Sequence, residues 1–151
     1  MYSDTRSLVA NDVMSFPVVT GREKDRIRSI AAKMKKFNIS SVVIVDKENK
    51  PMGIVTEGDI VERLVSKKRG LLFTKAKDAM TKPVITIGKG MMVDEAAKLM
   101  VNKKVKKLCV VDDNGSLAGI VTEGDIVKNA SYLIDVLKAM IDTGYVKEAE
   151  L

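Results

Sequence analysis

The sequence predicts an α+β protein: two tandem β-α-β-β-α units packed as a pseudo-twofold pair, followed by a C-terminal helix. Three observations lead there. The nine residues from Gly53 to Val61 (Gly-Ile-Val-Thr-Glu-Gly-Asp-Ile-Val) recur unchanged from Gly119 to Val127, an offset of 66 residues. The same offset lays Asp12-Val13-Met14-Ser15-Phe16-Pro17-Val18-Val19-Thr20 on Asp78-Ala79-Met80-Thr81-Lys82-Pro83-Val84-Ile85-Thr86, with no gap between the blocks. Within each copy, short β-branched runs alternate with a stretch of helical apolar periodicity. The duplication therefore spans 12–63 and 78–129, leaving 1–11 as an N-terminal segment, 64–77 as a linker and 130–151 as a last helix. One copy alone is too small to bury its sheet comfortably, so the two are expected to pack on each other.

Each element has its own signal. Val18-Val19-Thr20, after Pro17, reads as a short β-branched strand. Ile27, Ile30, Ala31, Met34 and Phe37 recur at helical spacing with Lys and Arg between them, which predicts an amphipathic helix with one buried face. Ser41–Asp46 is an apolar strand, Lys47–Lys50 a turn and Gly53–Thr56 the returning strand. In the second copy the turn is Asp113-Asn114-Gly115, and Asn-Gly is a strong hairpin signal. A helix is expected from near Gly58, carrying Ile60, Val61 and Leu64 inward. The final helix would align Leu133, Val136, Leu137, Met140 and Ile141 on one side.

Composition narrows the function. Of 151 residues, 46% are hydrophobic and 30% charged, as expected of a globular chain. No apolar run approaches the roughly 20 residues of a membrane helix, and no signal peptide is recognisable, so a cytoplasmic protein without membrane contact is expected. The single Cys109 cannot form an internal disulfide, which suits a reducing compartment. The chain has no histidine, which removes imidazole-based triads and the common zinc sites. Residues 1–75 hold 15 Lys/Arg against 9 Asp/Glu, so the net charge of +6 lies in the first half, around Arg22–Lys36 and Lys67–Arg69. Such a patch admits nucleic acid as an alternative partner, although six aromatic residues and no tryptophan leave little for base stacking.

The repeated Thr-Glu-Gly-Asp carries the candidate chemistry. Thr56 and Asp59, like Thr122 and Asp125, stand three apart before an apolar helix. That spacing fits a structural capping box with Asp replacing Glu or Gln. It also fits a site, since a helix N-terminus suits phosphate and a carboxylate suits two vicinal ribose hydroxyls. Glu57 and Glu123 oppose a highly charged phosphate unless a cation compensates. Lys106 and Lys107 supply one, whereas the aligned Ser40 and Ser41 do not.

These residues resemble a tandem cystathionine-β-synthase (CBS) domain pair, or Bateman module. The resemblance rests on D-x-M-x-x-P-V-x-T, the apolar strand ending in Val-Asp, and G-I-V-T-x-x-D-I, all in both copies across nearly all of 12–129. It implies two clefts that bind adenosine derivatives such as AMP, ADP, ATP or S-adenosylmethionine as ligands rather than cofactors. It further implies that Asp59 with Thr56, and Asp125 with Thr122, hold sugar and phosphate. By the family's cross-copy pattern, Thr20, Ile39 and Ser40 would join the Asp125 cleft, and Thr86 and Val105 the Asp59 cleft.

The expected function is a regulatory, non-enzymatic sensor acting through a homodimer or a protein target, with no metal and no catalytic residue. Lys106 and Lys107 are expected to give the Asp125 cleft the preference for a phosphorylated ligand.

Overall fold

A computed structural model of the chain describes residues 8–65, 70, 73–129, 134–135, 138–139, 141–142 and 144. Its elements repeat in order. The first copy comprises α1 (Ala10–Val13), β1 (Thr20–Gly21), α2 (Ile27–Phe37), β2 (Ser41–Val45), β3 (Pro51–Thr56) and α3 (Glu57–Ile60), which continues as a π-helical turn over Val61–Val65. The second comprises α4 (Ala76–Ala79), β4 (Thr86–Gly88), α5 (Val93–Lys103), β5 (Lys107–Val111), β6 (Leu117–Thr122) and α6 (Glu123–Val127). The order β-α-β-β-α holds twice, each time behind a one-turn helix that periodicity is too short to reveal.

Each copy builds a three-stranded sheet with its apolar central strand in the middle. β1 runs parallel to β2, with Thr20 opposite Val43, and β2 runs antiparallel to β3, with Val42 opposite Val55. The second sheet repeats this, pairing Thr86 with Cys109 and Leu108 with Val121. Aspartates shape the hairpin turns. Asp46 Oδ1 accepts from the N–H groups of Glu48 and Lys50, and Asp112 Oδ1 from those of Asn114 and Ser116. The Lys50 N–H bond is the main cause holding the Asp46 carboxyl below its ordinary range. Gly115 takes the positive φ of 82° that the second turn requires.

The cores are exchanged between copies. Ile27, Ile30 and Met34 of α2 pack on Val42, Ile44 and Val55, but Ala76, Ala79 and Met80 from the second copy complete that cluster. Reciprocally, Ala10 lies in the core of the second copy, with Val13 and Met14 packed against it. Backbone bridges join Ser15 to Ile120 and Ile54 to Thr81. Val43, Val45 and Cys109 meet between the two sheets, with Val18, Ile54, Val84, Leu117 and Ile120 around them. This reciprocity is the pseudo-twofold pair.

Several expectations shift. The first strand starts at Thr20 rather than Val18, because Val18 and Val19 turn to the inter-sheet cluster and the first core before β1 joins β2. Phe37 is 50% exposed, since it closes the last turn of α2 beside the left-handed Asn38, beyond the sheet it was expected to cover. Val61 is 62% exposed, because α3 gives way to the π turn there and only Ile60 packs on the core. The side chain of Leu64 lies outside the described residues, as do 66–69 and 71–72 of the expected linker. The expected helix at 130–151 also falls largely outside them, although 134–135, 138–139 and 141–142 are helical.

Candidate functional site

The two Thr-x-x-Asp sequences are capping boxes. Thr56 Oγ1 accepts from the Asp59 N–H at 3.1 Å, and Asp59 Oδ2 accepts from the Thr56 N–H at 3.0 Å. In the second copy the distances are 3.2 Å and 2.8 Å, and the Thr122 hydroxyl also donates to Asp125 Oδ2 at 3.0 Å. The reciprocal bonds arise because a short polar side chain reaches the N–H three residues on, and the N3 carboxylate reaches back. They pin each aspartate where a strand hands over to a helix. They also use up N–H groups that a phosphate would have needed. The Glu57 N–H is bound to the Ser40 carbonyl and the Glu123 N–H to that of Lys106. At these one-turn helices most first-turn donors are thus spent inside the protein.

Beyond the boxes the copies differ. The Thr81 hydroxyl donates to Asp59 Oδ1 at 2.9 Å, so both oxygens of Asp59 are engaged. Asp125 is buried, at 7% exposure, and its Oδ1 has no hydrogen-bond partner among the described residues.

Each aspartate opens onto a cleft built from both copies. The cleft of Asp125 and Thr122 encloses about 960 Å³ and takes Val18, Val19, Ile39 and Ser40 from the first copy. The cleft of Asp59 and Thr56 encloses about 700 Å³ and takes Val84, Ile85, Val105 and Lys106 from the second. Ile39 and Val105 reach these positions because α2 and α5 close on left-handed residues, Asn38 and Lys104. The chain then folds back so that the Ile39 and Val105 N–H groups bond the Met34 and Met100 carbonyls, each at 3.0 Å.

Thr20 and Thr86 lie outside the two linings. Their backbones are committed to β1 and β4, the Thr20 carbonyl accepts from Lys33 Nζ at 2.6 Å, and the preceding valine and isoleucine pairs face the clefts instead. The lysines also need correcting. Lys106 lines the Asp59 cleft, not the Asp125 cleft, because it leads into β5, in the copy that completes the Asp59 cleft. Lys107 borders both. Its Nζ donates to Ser40 Oγ at 3.1 Å. The Asp125 cleft draws further positive charge from Lys35 and Lys128, which the repeat alignment did not single out. Cys109 lies in the wall of the Asp59 cleft at 2% exposure, and burial pushes its thiol up to about 11.

Among the described residues no cluster of three or more His, Cys, Asp or Glu could hold a metal ion, and no helix is long and apolar enough to cross a membrane.

A CBS-domain family model matches residues 9–66 and 76–132. An uncharacterized protein of Methanopyrus kandleri is 42% identical over 133 residues, 88% of this chain and 68% of its own. Inosine-5'-monophosphate dehydrogenase of Methanocaldococcus jannaschii is 34% identical over 123 residues, which is 82% of this chain but 24% of that enzyme. In structure, the CBS domain pair of protein MJ0100, crystallised with 5'-methylthioadenosine and S-adenosyl-L-methionine, superposes with a TM-score of 0.74 at 31% identity. The match covers 83% of this chain and 97% of that one. A CBS domain protein of Pyrobaculum aerophilum has the same fold, with a TM-score of 0.78 at 24% identity over 87% of this chain and 99% of that one.

Proposed function

The chain belongs to the CBS-domain family, and on that premise we propose that it is a regulatory module whose two clefts bind adenosine derivatives. AMP, ADP, ATP and S-adenosylmethionine are the ligand class. The observation that carries this reading is the pairing of a pinned aspartate with an apolar wall from the other copy, present twice. An aspartate fixed by a capping box suits two vicinal hydroxyls, and the valine and isoleucine wall suits a purine face. The adenosine ligands of the MJ0100 pair, 31% identical to this chain, support the same class. In this reading Asp125 and Asp59 hold ribose, Thr122 and Thr56 lie at sugar or phosphate, and Ile39, Ser40 and Val105 shape the base and sugar pockets.

The proposal assigns no reaction to either cleft. The output is a change in shape or affinity passed to a second copy of the chain or to a protein target. Val61 and Val127, at equivalent positions, are 62% and 60% exposed, which supports a homodimer built on those faces. Light scattering at tens of micromolar should give a dimeric mass, and a strictly monomeric one would remove that part of the proposal.

A thermal-shift screen of adenosine ligands tests the main reading. A ligand at about 100 times its Kd should stabilise the protein by roughly 2.7 kcal/mol. No shift with any adenosine derivative would overturn the assignment.

A further inference from the structure

The two clefts are not separate compartments. Ser40, Glu57, Lys107 and Thr122 belong to the walls of both. Of these four, Lys107 is the sole cation. Its ammonium is held on the first-copy side by Ser40 Oγ at 3.1 Å, between the two aspartates' clefts rather than inside one. A phosphate entering either cleft draws on the same ammonium, which cannot serve both at full strength.

The remaining charges decide which cleft gains it. Leaving Lys107 aside, the Asp125 cleft has Lys35 and Lys128 against Glu57 and Asp125 and is balanced, so gaining Lys107 makes it net positive. The Asp59 cleft, once Lys107 is committed elsewhere, has Lys104 and Lys106 against Glu57, Asp59 and Glu123. One wall is then net positive and the other net negative. A second phosphate would face a neutralised lysine, an excess of carboxylates and a like-charged neighbour in a partly desolvated groove, where charge pairs interact more strongly than in water.

From this we infer that the clefts fill as a charge-matched pair through Lys107. A phosphorylated adenosine ligand takes the Asp125 cleft, and the Asp59 cleft then takes an adenosine ligand without phosphate, neutral or cationic. This rests on the adenosine-binding reading above and adds the coupling between its two sites. Two anionic ligands compete, whereas one anionic and one neutral ligand coexist.

Calorimetry on the full chain with AMP and adenosine as probes tests the coupling. AMP alone should bind one equivalent tightly and a second at least about tenfold more weakly, the loss expected when a charged hydrogen bond is denied. The gap should narrow as salt is raised, because the repulsion is screened. Adenosine added to protein holding one AMP should bind with the affinity it shows for the free Asp59 cleft. Lys107→Gln should weaken the first AMP about tenfold and bring the two sites together, with a far smaller effect on adenosine. Two equal, independent AMP sites in the unaltered protein would overturn the coupling, as would a gap insensitive both to salt and to Lys107→Gln. The salt series needs no variant, so it stands even if the substitution perturbs folding. Binding of neither AMP nor adenosine would instead overturn the adenosine reading itself, and the coupling with it.

Discussion

The Thr81 hydroxyl donates a hydrogen bond to Asp59 Oδ1, whereas Ser15, at the equivalent place in the first copy, makes no such bond to Asp125 among the described residues. Thr81 comes from the bridge that joins Ile54 to Thr81, so the second copy's leading segment occupies the carboxylate of the first copy's motif. A ribose entering the Asp59 cleft must displace that hydroxyl. The Asp125 carboxylate has one oxygen already free of such a partner.

Thr81→Ala should therefore tighten adenosine binding in the Asp59 cleft by roughly two- to tenfold, the worth of an ordinary hydrogen bond. Made in an Asp125→Ala background, calorimetry reads that cleft alone. Ser15→Ala should leave the Asp125 cleft unchanged. Equal effects of the two substitutions would show that the Thr81 contact does not set the difference.

The capping boxes should be measurable without ligand. Thr122→Ala removes the acceptor of the Asp125 N–H and the donor to Asp125 Oδ2. Urea unfolding should show a loss of about 0.5–2 kcal/mol. Thr122→Ser, which keeps the hydroxyl, should recover most of it.

The exchange of leading segments makes a packing prediction. A Cβ at Gly119 would collide with Met14 Sδ and lie 2.9 Å from Met14 Cγ. Gly119→Ala should destabilise by about 1–3 kcal/mol through overpacking. Met14→Ala opens that space, so in a double-mutant cycle the pair should cost less than the sum of the two single changes. Gly53 and Met80 should behave alike, since Met80 Cγ lies 2.8 Å from a Cβ at Gly53.

Cys109 predicts a loss of stability in alkali. Burial raises its thiol from an ordinary 9.0 to about 11, so the folded state favours the protonated form. The resulting stability is fully present below about pH 9 and is lost as pH rises towards 11, on the order of 2 kcal/mol. Cys109→Ser lacks a thiol in this range, so its unfolding free energy should fall less between those pH values. An identical decline in both proteins would remove Cys109 as the cause. At neutral pH a thiol reagent should label the native protein slowly and the urea-unfolded chain fast.

The repeat made the architecture legible. An exact nine-residue block and a gapless second block fix two copies of one topology, and the β-branched runs and the Ile27–Met34 periodicity place strands and helices. What remained hidden was which copy each segment serves. Met14 and Met80 look like local core residues in sequence, yet each packs in the other copy's core, because the exchange is a property of two sheets meeting rather than of local pattern. The lysine assignment was lost for the same reason. In the repeat alignment Lys106 goes with the Asp125 motif of its own copy, whereas it leads into β5, which completes the opposite cleft. Lys128, directly after the repeated block, was a signal that the alignment could have flagged, since Glu62 stands opposite it in the first copy.

The most direct measurement of the central claim is isothermal calorimetry of AMP and S-adenosylmethionine on the unaltered chain and on Asp59→Ala, Asp125→Ala and the double variant. At least one ligand should bind saturably to the unaltered chain. Loss of the occupied aspartate should weaken it about ten- to a hundredfold, as expected for a charged hydrogen bond. The double variant, shown to be folded by its circular dichroism, should bind in either cleft only with that weakened affinity. Unchanged binding in the double variant, or no binding by the unaltered chain, would contradict the claim that Asp59 and Asp125 hold the sugar of an adenosine ligand.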